Sequence, residues 1–155
     1  MTDCLQRLLD QRDIENLIVD YTHRLDFGSV DTIWELFAGD GLWEMPLEDL
    51  RYTGHDELRI ELPLRLSDNR RTTRHVCTNT RIEFLDDDHA TASTYMVNFR
   101  HDFDDVVTTD AQGVRPLAPT GSPRYVGEYV DTFVRLPEGW RFASRRAQLG
   151  FSHRA

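Results

Sequence analysis

Three polar residues sit where their apolar neighbours predict burial: Tyr21, Asp26 and His75. Tyr21 lies on an apolar stripe at helical spacing, Asp26 follows Leu25 at the end of that stripe, and His75 opens the run His75-Val76-Cys77-Thr78-Asn79. An Asp beside a His makes a working general base. The carboxylate accepts the imidazole N–H, fixes the tautomer and stabilises the imidazolium that forms. A buried tyrosine hydroxyl donates to a developing oxyanion or polarises a carbonyl. Together they suit proton abstraction from carbon beside an activating group. Spacing alone admits a plain structural reading too, in which Asp26 caps a turn, His75 is hydrogen-bonded core and Tyr21 fills space. On a regular helix, positions 21 and 26 point about 140° apart. Convergence on one pocket therefore requires the helix to end or unwind near Leu25, where Gly28 offers a stop.

Other polar residues carry less. His23 is two residues from Tyr21, hence on another helix face, and reads as surface. His55 follows Gly54 at a helix start, His89 sits in an acidic turn and His153 in the tail. His101-Asp102-Phe103-Asp104 lacks a second histidine at ligand spacing, so no metal site is expected. Cys77 belongs to no nucleophile motif and reads as structural.

The elements that must position these groups follow from periodicity. Leu5, Leu8 and Leu9, then Ile14, Leu17, Ile18, Tyr21 and Leu25, mark a first helix, with Asp3 as N-cap and a kink near Asp13. Gly28 ends it. Ser29 caps a second helix carrying Ile33, Trp34 and Phe37; Asp40-Gly41 turns the chain into a short strand, Leu42 to Met45. A loop follows, with a short strand at Arg51 to Thr53. His55 to Leu66 is a third helix that Pro63 should kink or end. After a polar loop at Asn69 to Thr73, the period changes to two. Strands are expected at Arg74 to Phe84, Ala90 to Arg100, Arg124 to Arg135 and Trp140 to Phe151. Asp86-Asp87-Asp88 is a turn, and His101 to Pro123 a long loop or lid. Helices followed by long antiparallel strands make an α+β domain, its sheet curled around the helices to leave a pocket.

At 155 residues the chain has the size of one domain, residues 1–155. With 27 acidic against 18 basic side chains, all arginine, it lacks the clustered positive charge of a nucleic-acid binder. No apolar run is long enough to span a bilayer, so no membrane partner is expected. The N-terminus shows no basic and apolar leader. Two cysteines, Cys4 and Cys77, far apart, suit a reduced cytoplasmic protein.

A set of short motifs then acquires a meaning through its order. Asp13-Ile14, Tyr21-x4-Asp26, Leu36-Phe37-Ala38-x-Asp40-Gly41, Tyr52-x-Gly54, His75-x3-Asn79-x-x-Ile82-x-Phe84, Tyr129-x-Asp131 and Gly139-Trp140-Arg141 resemble the SnoaL-like branch of the nuclear transport factor 2-like superfamily. The resemblance runs from about Leu5 to Phe151. It implies a cone-shaped α+β barrel, with N-terminal helices packed on a strongly curved mixed sheet around a deep pocket. Its enzymes include scytalone dehydratase, bile acid 7α-dehydratase, hexachlorocyclohexane dehydrochlorinase, ketosteroid isomerase and polyketide cyclases; oxygenase small subunits and non-catalytic binding proteins also belong to it. By this resemblance Asp26 and His75 fall on the dehydratase and dehydrochlorinase dyad. Tyr21 is similar to the tyrosine of the bile acid dehydratase, where the dehydrochlorinase has a lysine. Arg145 resembles the dehydrochlorinase's pocket arginine, with Arg146 a rival because a bulge would swap their faces.

The implied activity is cofactor-free proton transfer, by a lyase of the dehydratase type acting on a cyclic, apolar hydroxy compound. An isomerase or cyclase using the same dyad, and a non-catalytic binding protein or oxygenase accessory, are the alternatives. Trp34, Phe37, Trp43, Met45, Tyr95, Val97, Phe99, Tyr129 and Phe133 are the candidates for an apolar pocket lining, some of which must be ordinary core. Apolar residues on both faces of the strand Arg124 to Arg135 point to a homo-oligomer; the resemblance, to enzymes with this dyad that are commonly trimers, implies a trimer before a dimer.

Overall fold

The structure, a computed structural model, describes residues 2–119 and 121–153, with side chains from Cys4 onward. Helix α1 (Thr2–Phe27) leads into a 3-10 segment, Val30–Leu36, then β1 (Phe37–Met45), β2 (Leu50–Thr53) and α2 (Gly54–Leu66). Four long strands follow: β3 (Arg71–Phe84), β4 (His89–Asp102), β5 (Tyr125–Leu136) and β6 (Gly139–Ser152). The sheet order is β2-β1-β6-β5-β4-β3, antiparallel throughout except where β1 runs parallel to β6. The helices pack on a curved, mixed, six-stranded sheet, as expected, but the sheet does not close into a barrel.

The first helix departs from its sequence pattern at its start. Leu5, Leu8 and Leu9 are exposed, and the buried stripe begins at Asp10 and continues through Ile14, Leu17, Ile18 and Tyr21. α1 runs without a break through Asp13. Asp3 lies inside the helix, not before it, and its side chain falls outside the described ones. The end matches expectation. Gly28 has φ +91°, and the Ser29 N–H donates to the Arg24 carbonyl at 3.0 Å, the wrap by which a left-handed glycine closes a helix.

Beyond it, Ser29 makes no side-chain cap and the next segment is 3-10, with Phe37 already in β1. Asp40-Gly41 is not a turn but an irregularity inside β1, between Phe37 and Leu42. A Cβ at Gly41 would stand 2.8 Å from Phe37 Cβ, so glycine is required there. Pro63 sits in the last turn of α2, where the helix continues to Leu66 before Ser67 N–H closes on the Pro63 carbonyl.

Two bulges decide what the sheet presents to the helices. Along β3, Phe84 and Ile82 pair with Ala90 and Ala92, but the register slips between Thr78 and Arg81, where Asn79 has φ +53°. Past the slip, Cys77 pairs with Met96 and His75 with Asn98. An unbulged strand would keep even-numbered residues inward and turn His75 out. On β6 the register slips between Phe142 and Ser144, and so Phe142 and Arg145 both face inward.

Arg145 is fully buried, and so is Asp131, its cross-strand partner on β5. Its Nε–H and Nη2–H donate to the two Asp131 oxygens at 2.9 and 2.7 Å. The guanidinium lies 4.2 Å from the ring centroids of Tyr21, Tyr129 and Phe142. Burial opposes charge on the guanidinium, yet the Asp131 charge and hydrogen bonds outweigh it and hold the Arg145 pKa above its ordinary value. The same burial pushes the Asp131 carboxyl up against the pull of Arg145. A guanidinium does not give up its proton, and its fork holds the pair ionic.

Breaking such a pair strands one buried charge. Arg145→Met should therefore cost about 3–5 kcal/mol in urea unfolding. Arg145→Met combined with Asp131→Leu should recover most of that loss, and a purely additive double variant would contradict the pairing.

Candidate functional site

The bulge in β3 turns His75 toward the end of α1, where Asp26 receives it twice. The His75 backbone N–H donates to Asp26 Oδ2 at 2.8 Å, and the ring Nδ1–H donates to Oδ1 at 2.7 Å. Both carboxylate oxygens are thus committed to one residue, and in the neutral imidazole the bare nitrogen is Nε2. Asn98 Nδ2 lies 3.0 Å from it.

The helix does not unwind to achieve this; it stays helical through Phe27. The expected convergence of Tyr21 and Asp26 on one pocket is replaced by a division. Tyr21 and His75 line the main cleft, whereas Asp26 stands behind His75 and borders a separate recess. The 140° between the two helical positions is spanned by β3, which carries the ring from one to the other.

Tyr21 is 1% exposed, its ring edge-on to Phe37, Tyr129 and Phe142. The Trp43 indole N–H donates to its oxygen at 2.8 Å, which leaves the phenol's own proton for the cleft. Burial pushes the Tyr21 pKa up to about 12, against the nearby Arg145 charge that pulls it down. The group is a hydroxyl donor across the whole neutral range.

The cleft has a volume of about 780 Å³ including its open mouth. Leu25, Trp43, Met45, Met96, Tyr129 and Leu149 give it apolar walls; Tyr21, Thr73, His75 and Asn98 are polar. Glu48, Arg65, Arg71 and Arg100 also line it. They are paired: Arg65 with Glu48, and Arg71 and Arg100 both with Asp102.

Of the expected lining residues, Trp43, Met45 and Tyr129 reach the cleft. Phe37 and Phe133 are core, packed at a tilt on Phe142. Trp34 packs edge-on against His55, whose Nε2 is 2.9 Å from the Phe37 carbonyl oxygen. Tyr95, Val97 and Phe99 need correction: they alternate with the inward residues Met96 and Asn98, and Tyr95 and Phe99 are exposed. A hairpin without the bulge would have paired His75 with Phe99; the extra residue moved the pairing to Asn98. Arg145, not Arg146, faces inward, but it lies beneath Tyr21 and Tyr129 and is not among the residues lining the cleft. Arg146 is half-exposed beside Glu44. Cys77 packs against the core, its thiol pKa raised to about 11 by burial. Asn98, Thr73 and Met96 were missed. The signal for Met96 and Asn98 was the run of small or polar residues Ala90, Ala92 and Thr94 sharing their parity on β4, and Thr73 on β3 shares the parity of His75.

Burial also raises the Tyr129 pKa well above its ordinary value. An acid whose folded pKa is raised adds stability that is full below its unfolded pKa, near 10, and is lost as pH rises through the folded value, about 12 for Tyr21. Alkaline absorbance titration should show Tyr21 and Tyr129 ionising only as the protein unfolds. Tyr21→Phe should lessen the loss of stability between about pH 10 and 12; an unchanged alkaline slope would count against its buried, protonated state.

A model of the SnoaL-like domain family matches residues 6–146. No curated protein matches the chain. Among solved structures, a scytalone dehydratase-like protein from Novosphingobium aromaticivorans is 23% identical, with TM-score 0.75, covering 100% of this chain and 93% of that one. Hexachlorocyclohexane dehydrochlorinase LinA-type3 from Novosphingobium barchaimii is 15% identical, with TM-score 0.74, over 96% and 92%. ActVI-ORFA from Streptomyces coelicolor is 14% identical, with TM-score 0.71, over 90% and 96%. Likeness at these identities speaks to the fold. The family match, over most of the chain and across every element from α1 to β6, carries the assignment: this protein belongs to the SnoaL-like domain family, on the nuclear transport factor 2-like fold.

Proposed function

We propose that the protein is a cofactor-independent lyase, a dehydratase acting on a cyclic, largely apolar hydroxy compound of polyketide-like or steroid-like character. The observation that carries this reading is His75 at the cleft wall, backed by Asp26 at 2.7 Å and facing the same cavity as the Tyr21 hydroxyl. His75 Nε2, once the Asn98 N–H it accepts has moved aside, removes a proton from carbon. The C–H electrons form the new double bond, passing through an enolate whose oxygen takes the Tyr21 hydrogen bond. The imidazolium then returns its proton to the departing hydroxyl, which leaves as water, and the site is restored. Asp26 balances the imidazolium charge, and the apolar walls exclude bulk water. The neighbouring folds include a dehydratase-like protein and dehydrochlorinases, whose names both denote eliminations.

The direct test incubates the protein with a panel of cyclic β-hydroxy ketones in D2O, read by NMR. Loss of water supports the lyase. Deuterium uptake at carbon without loss of water would move the assignment to an isomerase or cyclase, and binding without either would make the protein a carrier. On a turned-over substrate, His75→Ala should cost about 10²–10⁴-fold with little change in melting, because a general base is lost and little packing is. Asp26→Asn should be similarly damaging, since an amide can mis-set the tautomer. Tyr21→Phe should cost about 10²–10³-fold, as for one oxyanion donor. Wild-type turnover in both His75→Ala and Asp26→Asn would sink the mechanism.

We also propose that a second copy covers the outer face of the sheet. Val76, Tyr95, Phe99 and Val130 stand exposed there, at 48%, 54%, 38% and 37%. They lie on the adjacent strands β3, β4 and β5 and outline an apolar face. Light scattering should return an oligomer, a trimer before a dimer, that Tyr95→Arg weakens; a monomer at micromolar concentration would refute it.

A further inference from the structure

The bare nitrogen of His75 has its own partner, and the partner's orientation is fixed from the far side. Asn98, on β4 directly opposite His75, is 4% exposed. Its Nδ2 lies 3.0 Å from His75 Nε2 and 2.7 Å from Thr73 Oγ1. The Thr73 hydroxyl donates its one proton to the Phe99 carbonyl at 3.1 Å, so toward Asn98 it can only accept. The amide nitrogen must therefore face it. The two amide hydrogens then go to Thr73 and to His75, and Nε2 is the acceptor. From the other end, Asp26 draws the ring proton to Nδ1. Five groups on three elements thus agree on one tautomer and one ring orientation.

We propose that Asn98, locked by Thr73, is a positioning residue that sets which nitrogen of His75 is bare and responds when that nitrogen gains a proton. This deepens the reading of His75 as the base and rests on it for its functional meaning. An Nε2 that has taken a proton can no longer accept from Asn98. A half-turn of the amide puts Oδ1 where Nδ2 was, within reach of both Nε2 and Thr73 Oγ1. The Thr73 hydroxyl swings from the Phe99 carbonyl to that oxygen. The Nε2–H and the Thr73 hydroxyl then share Oδ1 as acceptor, while the amide N–H groups turn away from both and the Phe99 carbonyl gives up the Thr73 hydroxyl. The network has two self-consistent states, one for imidazole and one for imidazolium, joined by one amide turn and one hydroxyl turn. Asp26 keeps its two hydrogen bonds in both.

The ring itself reports this whether or not turnover is found. Imidazole 15N spectra of the histidine-labelled full chain, assigned with His75→Ala, should show His75 protonated at Nδ1 and bare at Nε2 at mildly alkaline pH. A wild-type ring protonated at Nε2 would overturn the proposal. Asn98→Asp replaces a turnable amide by a carboxylate that only accepts. It should put a proton on Nε2 as well at that same mildly alkaline pH. Thr73→Val frees the amide to turn and should move the ring the same way by less; it decides the matter if a melting curve shows Asn98→Asp unfolded. Ring spectra and their pH course unchanged in the folded variants would refute the role of Asn98. The expected ring response with no turnover of any substrate by the wild type would fault the lyase reading and leave the role of Asn98 standing.

Discussion

A side chain in a strand can change face only if the backbone gains or loses a residue before it. Two such insertions set up the interior of this protein. The one at Asn79 carries the left-handed φ of +53°, a conformation asparagine tolerates better than most residues. It brings His75 inward, opposite Asn98 and beside Asp26. The insertion between Phe142 and Ser144 does the same for Arg145. Both lie in the long antiparallel part of the sheet, and each turns in a polar residue whose partner comes from another element or strand. Without the first there is no dyad; without the second, Asp131 is a buried carboxylate with no counter-charge.

The Arg145–Asp131 pair is an expensive way to fill a core, because apolar residues of equal volume often do as well or better. Its position suggests what else it does. The guanidinium lies under the faces of Tyr21 and Tyr129, rings rich in π-electron density, with Phe142 completing the enclosure. A fixed positive charge there favours negative charge on the Tyr21 oxygen, while burial disfavours it and prevails. The outcome is a phenol that keeps its proton yet donates it strongly, its oxygen already accepting from Trp43. Tyr21 thus receives orientation from one neighbour and polarisation from another.

Most of the fold was legible because its elements are long and strongly periodic. The helix end at Gly28, the strand alternation of Tyr129 and Phe133 against Val126, Val130 and Val134, and the acidic hairpin turn all announce themselves. The dyad was legible as residue types in apolar settings. What alternation could not supply was parity across the bulge, and that cost Tyr95, Val97 and Phe99 while hiding Asn98. The resemblance put Arg145 in the pocket with Arg146 as a rival; Arg145 is the one that faces inward, and the packed rings of Tyr21 and Tyr129 place it beneath the cleft. The exposed Leu5, Leu8 and Leu9 misled for a different reason. A helical stripe states which face is apolar, not how far along the helix the rest of the protein reaches.

The arrangement of charge is consistent with an apolar ligand. Asp26, Asp131 and Arg145, the buried ionic groups nearest the reacting atoms, all stand behind the cleft wall with their partners. What faces the interior is an imidazole edge, a phenol, a threonine and an amide. The arginines at the cleft are matched by Glu48 and Asp102. An apolar ring entering such a cavity strips little solvent from ions, so binding does not begin with a large desolvation cost. In the proposed reaction new charge arises only when a proton moves to Nε2, and the compensating carboxylate stands 2.7 Å from the other ring nitrogen. Because both of its oxygens are held by His75 itself, Asp26 has no rotation to make as the charge appears. The reorganisation left for the proposed step is confined to the Asn98 amide and the Thr73 hydroxyl, while the carboxylate that balances the charge is already in place, which is the condition under which an electrostatic partner lowers a barrier and does not merely tighten binding.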